Sequence, residues 1–224
     1  MNITKASKKH FKSAARLHAA SITTGFLSTL PLPFLATLYK SIARCKGSTV
    51  LVALDENNNV CGFVAGAVSV GSMYKKVFLR SAIPLIWYIL PHLLSITTVR
   101  KLIETAWYGF AKKKSKNEQA DNTNSGPSLV TSHSSPSSEL LSIAVDSSQR
   151  GKGTGKKLIT ELELFFRQNG VSSYKVVTFS KDNISNTFYA RCGFTLHKQF
   201  LHHGNLMNEY LKKIDVLVAE GDRC

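Results

Sequence analysis

A glycine-rich segment between two apolar stretches has the residue types of an anion-binding loop. Residues 150–155 read RGKGTG and follow the apolar run 140–145. Glycine allows backbone turns that other residues avoid, and it lets a ligand approach the main chain. A helix that begins at such a loop adds unpaired N–H groups and the positive end of its dipole. The segment therefore predicts a site for a phosphate-bearing ligand, with a glycine turn that binds nothing as the alternative.

The stretch after the glycines has the periodicity of a helix that ends at Gly170. Its apolar residues follow the i, i+1, i+4, i+7, i+8 spacing of one helical face: Leu158, Ile159, Leu162, Phe165 and Phe166. Two better-known phosphate loops are excluded. A P-loop would need glycine where Arg150 stands, and a dinucleotide fingerprint begun at Gly151 would need glycine or alanine where Lys156 stands.

The R-x-x-G-x-G pattern of residues 150–155 resembles the GNAT superfamily of acyl-CoA N-acyltransferases. Strand-like runs at 140–145 and 174–179 flank the helix in the order of that family, and residues 182–194 resemble its second signature, N-x-x-A-x-x-F-Y-x-x-x-G-F. Asp182 and Ser185 depart from that signature, where asparagine and alanine are usual. The resemblance implies an α/β fold with a mixed, mostly antiparallel central sheet flanked by helices, a splayed parallel strand pair and, in this chain, a helical insertion.

The same resemblance implies acetyl-CoA as co-substrate, with its pantetheine arm between the two splayed strands. Backbone groups of the first strand would pair with the pantetheine amides, as an added strand would. The main-chain N–H groups of the glycine loop would receive the pyrophosphate. The cofactor contacts implied in this way are Ile143, Ala144, Val145, Arg150, Gly151, Lys152, Gly153, Thr154, Gly155, Lys156, Asp182, Asn183 and Ser185.

Two residues are candidates for proton transfer. The resemblance makes Tyr189 the acid for the leaving thiolate, while a half-buried aromatic residue beside Phe188 is the alternative. Glu139, at the start of the motif strand, is where several branches of the family carry a base that acts directly or through water. Glu139 as the mere end of a solvated Ser-rich loop is the alternative, and the amine can also lose its proton to solvent through a water chain.

The first 66 residues predict a strand at 1–6, two helices and a hairpin of strands 49–54 and 60–66. His18 lies on the first helix and is interpreted as a packing or solvated residue. The adjacent His202 and His203 would point to opposite faces of a strand, and no Cys or carboxylate recurs at ligand spacing, so no metal site is predicted.

Residues 71–138 are an insertion that the core fold does not require. Residues 81–99 carry no formal charge, but two prolines and the lack of a second span argue against a membrane crossing. The sequence predicts an apolar helical lid at 81–111 over the acceptor side of the cleft, or an amphipathic segment on an anionic membrane surface. The Ser-rich remainder, 112–138, predicts a disordered loop.

Composition bounds the setting of the chain. Its 224 residues, 43% of them hydrophobic, predict a single domain over 1–215. The resemblance implies that this is an N-acetyltransferase domain, as a monomer or homodimer. The net charge of +15 suits CoA phosphates and an anionic acceptor or lipid surface, and the lack of a nucleic-acid-reading motif disfavours nucleic acid. Four cysteines without C-x-x-C spacing, and an N-terminus without a long apolar segment, predict reduced thiols in a cytoplasmic protein.

The resemblance implies an N-acetyltransferase that moves an acetyl group from acetyl-CoA to a primary amine of a small molecule, such as an amino sugar. A protein N-acetyltransferase, and a non-catalytic module that binds CoA or a membrane surface, are the alternatives.

Overall fold

Seven strands and five helices make up the part of the chain that the computed structural model describes, residues 1–22, 26–89, 135–202 and 204–215. The strands are β1 (Asn2–Lys5), β2 (Ser48–Leu54), β3 (Val60–Ala67), β4 (Glu139–Val145), β5 (Ser173–Phe179), β6 (Thr195–His202) and β7 (Asn205–Lys213). The helices are α1 (Phe11–Ser21), α2 (Leu32–Arg44), α3 (Val70–Ile89), α4 (Thr154–Gln168) and α5 (Asn183–Arg191). The predicted first strand, hairpin and motif strands are all present, with small shifts at their ends.

All seven strands form one sheet in the order β1-β2-β3-β4-β5-β7-β6. Every neighbouring pair is antiparallel except β4 and β5, which are parallel. The predicted fold class, a mixed and mostly antiparallel sheet with one parallel pair and flanking helices, is confirmed.

Helices cover the two faces of the sheet and create two apolar cores. On one face, α1 and α2 bury an aromatic and aliphatic cluster against β2 and β3. On the other face, α4 buries Leu158, Ile159, Leu162 and Phe166 in a second cluster. The apolar stripe of α4 is therefore the side that packs on the sheet, as in other amphipathic helices.

Helix α3 begins eleven residues before the predicted lid. Met73, Val77 and Ser81 follow one another at i+4 spacing and are buried, and α3 packs on α2. The hydroxyls of Ser41 and Ser81 lie 2.6 Å apart at this contact. The sequence analysis began the predicted lid at residue 81, but α3 runs through that boundary, with Arg80 exposed between the buried Val77 and Ser81. Of the predicted lid, residues 90–111 lie outside the described residues.

Residues 135–138, which the sequence analysis placed in a disordered loop, have defined contacts. The backbone N–H of Val70 donates to the carbonyl of Ser137 over 3.2 Å, and the Ser137 hydroxyl donates to the Val68 carbonyl over 3.2 Å. Ser138 is buried and its carbonyl accepts from the Lys175 N–H at 3.0 Å. The prediction fails for these four residues because their polar groups find partners on neighbouring segments. The rest of the predicted loop, 112–134, lies outside the described residues.

None of the described helices is long and apolar enough to cross a membrane.

Candidate functional site

A bulge in β4 opens a gap in the middle of the sheet. The parallel pairing of β4 with β5 is limited to Glu139 with Lys175 and Leu140 with Val176. The pairing of β4 with β3 shifts register just there, because Ala65 faces Ser142 while Gly66 faces Leu140, which leaves Leu141 as an extra residue. A bulge bends its strand and increases the local twist. Beyond Leu141 the two parallel strands therefore diverge, which is the splayed pair that the sequence analysis expected.

Backbone edges line this gap. Residues 142–145 of β4 pair with β3 on one side, while β5 pairs with β7 on its far side. The predicted pantetheine contacts Ile143, Ala144 and Val145 all lie on the diverging part of β4. An extended ligand with amide groups could add to such an edge as a further strand.

The glycine loop follows the open end of β4. Gly151 and Gly153 have φ of +77° and +79°, and a Cβ at either position would meet no atom within 4 Å. Backbone conformation, rather than lack of space, therefore requires glycine at both positions. Gly155 differs, because a Cβ there would lie 3.0 Å from the ring of Phe188. The third glycine thus allows α4 to approach α5 closely.

The N-terminus of α4 carries no side-chain cap. Gly153 is the N-cap residue and contributes no side-chain hydrogen bond. The first backbone N–H groups of a helix lack partners inside it, and the helix dipole makes this end positive. Lys152 and Lys156 lie in the same turn and add positive charge. This end of α4 is therefore suited to a phosphate group.

Arg150 supports the loop from the side. Its Nε donates to the carbonyl of Val145 over 3.3 Å, and a terminal nitrogen donates to the hydroxyl of Ser21 over 3.4 Å. The guanidinium therefore links the end of β4 to the end of α1. Before it, Asp146 caps the short turn by accepting from the N–H of Ser148 at 2.9 Å.

The two departures from the second signature form a helix cap. Asp182 accepts from the backbone N–H of Ser185 at 3.0 Å and from its hydroxyl at 2.6 Å. An aspartate at this position is a favoured N-cap. Asp182 and Ser185, predicted as cofactor contacts, thus bond to each other at the start of α5. The third predicted contact here, Asn183, is exposed at the first position of that helix.

Asn186 is an organising residue that sequence reasoning missed. Its side-chain nitrogen donates to the carbonyls of Phe179, Ser180 and Asp182, and its oxygen accepts from Asn208 and Tyr210, all within 3.1 Å. One amide therefore ties the end of β5 to α5 and β7. The signal available in the sequence was an asparagine in the first turn of the helix that follows β5. Asparagine side chains often bond to the backbone of nearby turns.

Tyr189 is buried on α5 and faces three aromatic rings. The ring centroids of Phe188, Phe194 and Tyr210 lie 5.4, 5.5 and 6.2 Å from its own. Burial raises the pKa of the Tyr189 hydroxyl, and the charges of Asp182 and Cys192 raise it further. The hydroxyl therefore keeps its proton at neutral pH, as an acid must.

Glu139 belongs to an ion-pair network at the closed end of the gap. Lys175 on β5 lies 3.8 Å from Glu139 and 3.3 Å from Glu209 on β7, whose side chain is only 3% exposed. Lys198 and the Ser135 hydroxyl also reach Glu209, at 3.5 and 2.5 Å. Although burial alone would raise it, the pKa of Glu209 is lowered, because Ser135 and the two lysines stabilise the carboxylate.

A neutral polar triad lies under β4 just past the bulge. Nδ1 of His18 is 2.6 Å from the Tyr39 hydroxyl, which donates to the Ser142 hydroxyl over 3.2 Å. Burial lowers the pKa of His18 to about 4, so the ring is uncharged at neutral pH. His18 is thus a buried packing residue that joins α1 and α2 to β4. Its Nε2 has no hydrogen-bond partner among the described residues.

Comparison with known proteins connects this geometry to one family. The sequence model of the acetyltransferase (GNAT) domain matches residues 100–196, which include β4, the glycine loop, α4, β5 and α5. No curated protein sequence matches the chain.

Solved structures share the fold at low sequence identity. A protein described as an acetyltransferase is 20% identical with a TM-score of 0.57, and the match covers 96% of this chain and 100% of that one. YncA from Salmonella typhimurium, solved with its cofactor acetyl-CoA, is 16% identical with a TM-score of 0.55 over 100% and 98% of the two chains. The ribosomal-protein-alanine N-acetyltransferase of Brucella melitensis is 16% identical with a TM-score of 0.56 over 96% and 100%.

Proposed function

We propose that the chain is an acetyl-CoA-dependent acetyltransferase of the GNAT superfamily and that its acceptor is a primary amine of a small molecule, with an amino sugar as the first candidate. The diverging edge of β4 and the uncapped N-terminus of α4 are the observations that support the cofactor site. The acceptor class is supported by the partly exposed Glu139 at the closed end of the gap, since an amine reaches an enzyme mostly as a cation.

The residues present fit acetyl-CoA at both ends of the gap. Gly151 and Gly153 have positive φ, and their loop lies beside the positive end of the α4 dipole, where backbone N–H groups can receive an anion. The edge of β4 from Ser142 to Val145 offers amide groups of the type that pantetheine carries. Acetyl-CoA supplies the activated acetyl group as a thioester, and the chain has to bind it, orient it and manage two protons.

Tyr189 manages the first proton in this proposal. As the amine nitrogen bonds to the carbonyl carbon, the carbon–sulfur bond breaks and the sulfur needs a proton. The hydroxyl of Tyr189 donates it and regains one from solvent afterwards. Its raised pKa ensures that the proton is present, and the aromatic rings around it hold its orientation.

The second proton leaves the amine. Glu139, which lies 3.8 Å from Lys175, accepts it directly or through water in this proposal. A water chain to solvent is the other route. A comparison of Glu139→Gln with the wild type separates the two: the base route predicts a loss of kcat that is largest at low pH, and a solvent route predicts parallel pH profiles.

The helical insertion is part of the same proposal. The N–H of Val70, the first residue of α3, bonds to the carbonyl of Ser137. Because Ser137 is two residues before Glu139 in the sequence, the insertion begins beside the closed end of the gap. Replacing 90–134 by a short linker should spare acetyl-CoA binding and change acceptor selectivity. Loss of acetyl-CoA binding would instead make the segment part of the core.

Release of free thiol from acetyl-CoA tests the function directly. Purified protein is assayed against a panel of amino sugars, polyamines, aminoglycosides and a peptide with a free N-terminus. Turnover of a small amine that disappears in Tyr189→Phe supports the proposal. Turnover of the peptide alone would favour a protein acceptor, and acetyl-CoA binding without any turnover would favour a non-catalytic module.

A cytoplasmic location also belongs to the proposal. It is supported by Cys45, Cys61 and Cys192, which are buried free thiols, as expected in a reducing compartment. Cell fractionation with a reporter fusion tests it.

A further inference from the structure

Among the described residues, helix α3 packs on the rest of the molecule through one of its sides. Met73, Val77 and Ser81 are buried against the first core, and α2 is the helix that they meet. Two residues further along the chain from Val77, a helical side chain points to nearly the opposite side. Leu79 occupies that position and is 82% exposed.

Large exposed apolar side chains are concentrated on this helix. Among the described residues, five of the twelve such side chains lie on α3, and none of the other elements carries more than two. Phe78 is 64% exposed, Leu79 82% and Trp87 73%, and Tyr74 and Tyr88 complete the set. Single exposed apolar residues are ordinary, but a concentrated patch marks an interaction site.

The charges within this patch have one sign. Residues 70–89 contain Lys75, Lys76 and Arg80 and no acidic residue. Lys75 and Leu79 are one turn apart, and Lys76, Arg80 and Trp87 follow each other at i+4 and i+7, so basic and apolar side chains share the outer side of the helix. The whole chain carries a net charge of +15.

This pattern selects the partner. A second copy of the chain, joined by two-fold symmetry, would bring the same three cations towards each other and repel. A lipid surface with anionic headgroups instead attracts the cations and accepts the aromatic and aliphatic side chains at the boundary of headgroups and acyl chains. Trp and Tyr favour that boundary because they have an apolar ring with a polar edge.

We propose that the outer side of α3, made of Phe78, Leu79 and Trp87 with Lys75, Lys76 and Arg80, docks peripherally on an anionic lipid surface. This goes beyond the acetyltransferase function, which does not depend on it. The helix lies along the surface, with α2 and the sheet on the side that faces water. An acceptor held at the surface would then meet the enzyme there.

Cosedimentation of the full chain with vesicles tests the proposal. The protein should pellet with phosphatidylcholine vesicles that contain phosphatidylserine, remain in solution with phosphatidylcholine alone, and be released by high salt because salt screens the attraction. Trp87 supplies a second readout, since the chain has two tryptophans and Trp107→Phe leaves Trp87 as the reporter. Its emission should shift to the blue with the anionic vesicles.

Matched variants locate the contact. Leu79→Glu should abolish pelleting, whereas Leu201→Glu, at a side chain that is 73% exposed on β6, should not. The pair Lys75→Gln with Arg80→Gln should weaken binding roughly tenfold or more, at about 1 kcal/mol for each cation. The pair Lys12→Gln with Arg16→Gln makes the same change of net charge on the exposed side of α1 and should have little effect.

Three results would overturn the proposal. One is the absence of pelleting with anionic vesicles at low salt. Another is an equal loss of binding in the α3 and control variants, which would mean attraction by net charge alone. The third is a dimer in light scattering that Leu79→Glu converts to a monomer, which would assign the patch to a second copy.

Discussion

The two ends of β4 are joined to β5 in opposite ways. At the closed end, two backbone pairs and the ion pairs of Lys175 with Glu139 and Glu209 hold the strands together. At the open end the strands have no pairing with each other, and the glycine loop follows with positive φ at Gly151 and Gly153. Only the single extra residue Leu141 separates the two situations.

This difference shows how two strands can separate at one end while the sheet stays intact. An unpaired strand edge leaves backbone groups without partners, which is costly when they are buried. Here the cost falls on the part of β4 where a ligand with amides can replace the missing partner. The charges that hold the closed end lie outside that part, so ligand binding and strand attachment use different groups.

The largest expected effect concerns the proposed proton donor. Tyr189→Phe keeps the ring and removes the proton donor, so kcat should fall by about 10²–10⁴-fold, the usual scale for a general acid, with little change in acetyl-CoA affinity. Tyr174→Phe is the matched control, because it removes a buried hydroxyl that bonds to Glu163 at 2.7 Å on the α4 side of the sheet. It should cost stability and spare kcat. Equal rates for wild type and Tyr189→Phe would return Tyr189 to a packing role.

The neutral triad predicts a dependence of stability on pH. His18 titrates near its ordinary pKa of 6.5 when unfolded and at about 4 when folded, so the unfolded state binds more protons between these values. Stability should therefore fall as pH drops from 6.5 to 4, by up to about 3 kcal/mol from this group. Chemical denaturation at several pH values should show a shallower decline for His18→Gln, which cannot titrate. Parallel curves would contradict a neutral buried His18.

Cutting the network at the closed end should loosen the gap. Lys175→Met leaves Glu209 with only Lys198 and Ser135, and we expect a loss of about 2 kcal/mol, below the range for a fully buried pair because those partners remain. The KM for acetyl-CoA should rise with it. Lys212→Met is the control: its ion pair with Glu163 at 2.6 Å lies on the other side of the sheet. If both variants have a similar KM for acetyl-CoA, the ion-pair network at the closed end does not influence the cofactor site.

The smallest effect is expected at the glycine loop. Gly153→Val forces a β-branched residue to a φ of +79°, which should reshape the loop and weaken acetyl-CoA binding by roughly 10–100-fold. Gly170→Val provides the same kind of strain at φ +70°, with equally open space, at the other end of α4. It should cost similar stability without loss of affinity in calorimetry. Unchanged affinity in Gly153→Val would remove the phosphate-loop interpretation.

Sequence reasoning succeeded where the information is local. The strand, loop and helix around residues 140–170 follow from apolar spacing and glycine positions within a few residues of each other. The hairpin of β2 and β3 follows from its turn residues in the same way. The resemblance to a family supplied the sheet order and the splay, which local patterns do not contain.

Contacts between distant residues escaped prediction. Glu209 meets Lys175 and Ser135 only because of strand register, and those partners are 34 and 74 positions away. The bonds of Asn186 to Asn208 and Tyr210 depend equally on how α5 lies beside β7. The start of α3 was misjudged because its buried side includes a serine, Ser81, whose partner Ser41 lies on another helix.

The bonds between Val70 and Ser137 and between Ser137 and Val68 bring the two ends of a long segment together. A segment whose ends meet can change in length at little cost to the frame, since closure entropy grows only slowly with loop length. The fold can therefore accept segments of different length and sequence between Val70 and Ser137. Such a segment can change while the gap in the sheet is unaltered. For protein engineering, the same junction is a natural point at which to replace this segment by another.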